Sequence, residues 1–209
     1  MAEHIDRTRL QTDLRYNFDY ISKFLNFTKD DIHVLNSLAP ILFPRIPYIV
    51  ETTYKKLRSF DVTKEYFNIH NGEFKRFVLN EATKFTLISA QTDIFKDTLN
   101  IYLKRILLQS EWNDTFLKYI SEMGELRENQ KNCKEINMEY MPMNTLFGYL
   151  EHLMIDIIWK LESFDIKKKR AGIRALNKFF WIQNNLFTMY YSMSLKENSI
   201  SNGMNGKKK

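Results

Sequence analysis

The nitrogen and sulfur side chains able to ligate a metal are few. They are four histidines (His4, His33, His70 and His152), one cysteine (Cys133) and nine methionines. Imidazole nitrogen, thiolate and thioether hold iron or zinc in proteins, as carboxylate and tyrosine phenolate also can. Their spacing forms no metal-binding pattern: there is no His-Glu-x-x-His pair and no paired-cysteine zinc spacing. His4 falls in an N-terminal segment, His33 on an expected core helix and His70 in an expected loop. A Gly-rich phosphate loop and a nucleophile motif are also missing, and the carboxylates lie on helical surfaces without converging. No enzymatic activity is therefore expected. With one cysteine there is no internal disulfide. Residues 1–10 are polar and charged rather than leader-like, and no apolar run reaches about 18 residues. A reducing, cytoplasmic setting is the simplest expectation.

The elements that position these side chains are helices. Of 209 residues, 44% are hydrophobic and 14% aromatic, with sixteen Phe and eleven Tyr against six Gly and four Pro. Such a chain buries a proper core but lacks the turn residues that a β-sandwich or barrel requires. The net charge is +6. Its densest runs, Lys167-Lys168-Lys169-Arg170 and Lys207-Lys208-Lys209, read as a solvated helix start and a terminal tail, so neither nucleic acid nor a membrane is expected as a partner.

Apolar residues recur at helical spacing over 10–27 through Leu14, Phe18, Ile21 and Leu25. Thr28-Lys29-Asp30-Asp31 then reads as a helix start with an N-cap and acidic first turn. Pro40, Pro44 and Pro47 are expected to kink or break that helix, with a second resuming near Pro47. Further helices are expected over 92–108 (Phe95, Leu99, Tyr102, Ile106) and 112–128 (Phe116, Tyr119, Ile120, Met123). A polar loop over 129–140 follows, and then a helix with Pro142 in its first turn, running to about Glu162. Asp165 opens the last helix, with Ile173, Leu176, Phe180 and Phe187 on one face. The division expected is a flexible 1–10, a domain over 11–194 and a disordered basic tail over 195–209. The pattern alone reaches an all-α bundle or globin-like packing.

Three stretches resemble the protoglobins, single-domain relatives of globin-coupled sensors, and among them the fungal type. The stretch from Thr28-Lys29-Asp30-Asp31 to Tyr54 is similar to the family's first two core helices. Val50-Glu51-Thr52-Thr53-Tyr54-Lys55-Lys56-Leu57-Arg58-Ser59-Phe60-Asp61-Val62-Thr63 resembles a fungal signature. Asn177-Lys178-Phe179-Phe180-Trp181-Ile182-Gln183-Asn184-Asn185-Leu186-Phe187 resembles the last helix most specifically. The likeness runs over roughly 14–191. It implies an all-α, globin-like fold with an extra N-terminal helix, a pocket for haem b, and binding or sensing of a diatomic gas such as oxygen. It also implies a homodimer through the last two core helices.

The resemblance also implies site residues. The family's haem-binding helix places an iron-ligating histidine three residues after a glycine, and here Met123-Gly124-Glu125-Leu126-Arg127 puts Arg127 at that position. A guanidinium is permanently protonated and has no lone pair for iron. His152, where relatives can place a haem-facing aromatic, is the substitute metal ligand to consider. Met123 lies one turn before Arg127, on nearly the same face. Tyr54 matches the distal tyrosine that can hydrogen-bond a bound gas, and Tyr102 is a second pocket aromatic. The alternative is a haem-free globin-fold sensor or interaction module, its pocket filled by side chains such as Tyr54 and Met123.

Overall fold

The computed structural model describes residues 3–64, 94–123 and 136–205. Among these the chain is helical, in the order α1 (Arg7–Thr12), α2 (Leu14–Leu25), α3 (Lys29–Leu42), a 3₁₀ turn (Phe43–Arg45), α4 (Ile46–Arg58), α5 (Ile94–Leu108), α6 (Asp114–Glu122), α7 (Ile136–Trp159) and α8 (Ile166–Asn205).

The single helix expected over 10–27 is two. Asp13 is extended (φ −114°, ψ 107°), and its carboxylate accepts the amide of Tyr16, so it caps a new start at Leu14. Helix α2 ends where Asn26 turns left-handed at φ 51°, which lets the amides of Asn26 and Phe27 reach back to the carbonyls of Lys23 and Ser22. The α3 start is as read: the Thr28 amide donates to Asp31 Oδ2 at 2.9 Å. The three prolines behave differently from one another. Exposed Pro40 stays within α3, Pro44 falls in the 3₁₀ turn, and Pro47 occupies the first turn of α4.

Two further differences lie in the C-terminal half. Part of the loop expected over 129–140 is helix, because α7 begins at Ile136 and carries Pro142 in its interior rather than its first turn. The extension is anchored by Tyr140, whose ring stacks on Phe187 at 5.5 Å and whose hydroxyl meets Thr188 Oγ1 at 3.1 Å. Helix α8 continues to Asn205, into the segment expected as a tail.

Helix α8 is the spine, packing against α7, α3, α2 and α6, while α5 packs against α3 and α4. It buries Leu176, Phe179, Phe180, Ile182, Leu186 and Phe187. Each such side chain contributes about 1.5–3 kcal/mol on leaving water. Trp112, just ahead of α6, forms an aromatic hub with Phe27 (4.7 Å), Phe116 (5.2 Å), Phe18 (5.6 Å) and Phe179 (6.0 Å), joining α2, α6 and α8. Lys178 adds a polar clasp. Its side chain is 15% exposed, and its amine pairs with Asp31 at 2.8 Å and also donates to the Asn26 carbonyl at 2.6 Å. Among the described residues no helix is long and apolar enough to cross a membrane.

Candidate functional site

The interior junction of α5, α6 and α8 is built on Tyr102. Apolar spacing on α5 turns Phe95, Leu99, Tyr102 and Ile106 inward, and all four are buried. The Tyr102 hydroxyl donates to Gln183 Oε1 at 3.0 Å, and Gln183 Nε2 donates to the Ile120 carbonyl at 2.9 Å. Ile120 lies in the last turn of α6, where carbonyls lack intrahelical amide partners, so the amide of Gln183 satisfies one of them. Tyr102 and Gln183 are both fully buried. Burial, with a smaller contribution from the neighbouring Tyr119, pushes the Tyr102 phenol well above its ordinary value, so it stays protonated and neutral. Next to this bridge, the Arg105 guanidinium lies 3.7 Å from the Tyr119 ring centroid, a second link from α5 to α6.

Tyr54 is placed differently. It is half-buried on α4, with its ring 6.0 Å from Phe95 on α5. Its hydroxyl accepts from Arg58 Nη1 at 2.9 Å, and Lys96 Nζ lies 4.3 Å from its ring centroid. Lys96 also binds Glu51 at 2.7 Å, and chiefly through that bond it holds the Glu51 carboxyl below the usual carboxylate range. Phe95 and Tyr102 are two turns apart, about 10 Å along α5. The two tyrosines therefore serve successive levels of one helix.

Met123, 2% exposed, closes α6. Arg127 and Cys133 lie outside the described residues, as does His70. His152 is exposed: α7 turns Leu150, Leu153 and Met154 inward, which leaves the imidazole on the outer side, 6.4 Å from the Tyr149 ring. Tyr54 thus lies against α5, Tyr102 is buried on α5 and Met123 is buried at the end of α6, whereas His152 is exposed on α7.

These positions bear on haem. Iron needs a donor with a lone pair inside the pocket. The described histidines, His4, His33 and His152, are all exposed. The Tyr102 phenol keeps its proton, which Gln183 accepts. Among the described residues singled out from the sequence, Met123 is the buried donor of the right chemistry. Among the described residues, no three His, Cys, Asp or Glu side chains gather where they could hold a metal ion. Among the described residues, the interior offers no histidine to ligate a haem iron. Gln183 was not singled out as a site residue from the sequence. Its signal was there: an amide between Phe179 and Phe187 on an apolar stripe requires a buried partner.

A helical spine, short N-terminal helices and an aromatic interior define an all-α, globin-like domain. The protoglobin family model matches residues 14–197, and the chain belongs to that family. Among solved structures it is similar to the globin domain of the Geobacter sulfurreducens globin-coupled sensor. The TM-score is 0.60 at 16% identity, over 83% of this chain and 96% of that one. At that identity the likeness speaks to the fold. No curated protein matches the chain.

Proposed function

We propose that this globin-sensor protein works as a globin-fold sensor or interaction module that does not hold haem through a histidine. The observation that carries the reading is the Tyr102–Gln183–Ile120 bridge, which joins α5, α8 and α6 with side chains of the protein itself. The exposure of His152 and the arginine at position 127 support it. In this reading the core is completed by protein, and the output goes to a partner or a second copy.

A second reading keeps the family's haem b and a diatomic gas such as oxygen, with iron held by another donor. Buried Met123, at the threshold of the segment that carries Arg127, favours it, and Tyr54 would then face the bound gas.

A haem titration of the purified protein, followed at the Soret band in ferric and ferrous-carbonyl states, separates the two. The expected outcome is a non-saturating response. A stoichiometric Soret shift abolished by His152→Ala would overturn the proposal in favour of histidine ligation. One that survives His152→Ala and is lost in Met123→Leu would establish the second reading.

A further inference from the structure

The corner between α7 and α8 sets exposed apolar side chains among exposed cations. Trp159, the last residue of α7, is 57% exposed, and Ile166, the first residue of α8, is 64% exposed. They flank the short link 160–165. Tyr48, on α4 near Lys160, is 60% exposed. The Trp159 indole is held rather than loose. Lys169 Nζ donates to the Trp159 carbonyl at 2.8 Å and lies 5.7 Å from its ring.

Around these apolar groups stand five cations, Lys160, Lys167, Lys168, Lys169 and Arg170, against three carboxylates, Asp156, Glu162 and Asp165. Asp156 is occupied by Lys160 at 2.6 Å. Asp165 caps α8 by accepting the Lys168 amide at 2.8 Å. The exposed side chains of Lys167, Lys168 and Arg170 therefore set the sign of the surface. From the sequence these cations read as a solvated helix start. The structure adds that an exposed tryptophan and an exposed isoleucine stand among them.

We propose that this corner docks the protein on an anionic lipid bilayer. Trp159 and Ile166 would enter the interfacial layer, while Lys167, Lys168 and Arg170 meet the headgroup charge. A tryptophan at headgroup depth buries its ring and keeps its N–H wet, and basic residues beside it gain from the negative surface potential. The patch is a turn between two helices, with its apolar side chains standing outward, which suits a broad, compliant surface. A nucleic acid backbone would use the cations but leave Ile166 exposed. Docking here is peripheral, in keeping with the lack of a spanning helix among the described residues.

The test is co-sedimentation of the full chain with phosphatidylcholine vesicles, with and without phosphatidylserine, at low and physiological salt. Binding is expected only with the anionic lipid, and it should weaken with salt. Reversing Lys167, Lys168 and Arg170 to glutamate should weaken it roughly a hundredfold or more. Trp159→Ala should weaken it roughly tenfold. In a Trp181→Phe background, the emission should move to the blue on vesicle addition and lose that shift in Trp159→Ala. All these positions are exposed, so thermal midpoints near that of the parent certify the folded state. Three results would overturn the proposal. One is no binding to anionic vesicles, and another is binding that the charge reversal leaves unchanged. The third is single-stranded RNA bound through the same lysines without any vesicle binding.

Discussion

Tyr54 and Tyr102 are the same residue type, near the same helix, and the fold asks opposite things of them. Tyr102 is sealed from water and donates a hydrogen bond to a neutral amide, which in turn closes the end of α6. Tyr54 is half-buried, and its hydroxyl accepts from an exposed guanidinium while an ammonium faces its ring. At this bridge, each side-chain polar atom depends on one designated partner, because water cannot replace it. At the rim, solvent stands in for any contact that is lost. The first arrangement specifies how three helices meet, and the second leaves the fold almost indifferent to the hydroxyl.

The largest expected effect that would test this contrast is Gln183→Leu. It strands both the Tyr102 hydroxyl and the Ile120 carbonyl in the core. A loss of about 3 kcal/mol is expected, a fall in Tm of roughly 10 °C for a chain of this size. Scanning calorimetry reads it directly, and a Tm within experimental error of the parent would dissolve the distinction. Next is Tyr102→Phe, which leaves only the Gln183 oxygen unmet and should cost about 1–2 kcal/mol by urea unfolding. Combining the two changes should cost less than the sum of the single effects, since no donor then waits for a missing acceptor. The smallest effect is Tyr54→Phe, expected to change stability by under about 0.5 kcal/mol. A loss as large as that of Tyr102→Phe would mean that Tyr54 is structural after all.

Much of the fold could be read from the residues. Thr28 and Asp31 announced the start of α3, the repeat through Phe95, Leu99, Tyr102 and Ile106 gave α5 its buried face, and Asp165 marked the start of α8. The errors have local causes. Asp13 lies within an unbroken apolar repeat, and periodicity has no term for a carboxylate that captures an amide three residues on. The helix over 136–141 was hidden by its polar composition and by Pro142, and only the packing of Tyr140 on α8 supports it. The site was less legible. The family resemblance set Arg127 at the expected ligand position, which lies outside the described residues, and the exposure of His152 depends on which face of α7 turns inward. The bridge from Tyr102 to Gln183 joins residues 81 positions apart, and no local pattern encodes it.

The clasp at Lys178 has a bearing on how the chain acquires its shape. Asp31 lies 147 residues earlier and Asn26 152 residues earlier, and Asn185 reaches back to Asn17 across 168 positions. During synthesis, α5 and α6 can cover part of α2 and α3 before α8 emerges. The contacts that α2 and α3 make with α8 must wait for it, and closing loops of that length slows the search for the native arrangement. A ribosome that stalls before Lys178 would hold a nascent chain with an unmatched carboxylate and an open aromatic cradle, the kind of species that chaperones recognise.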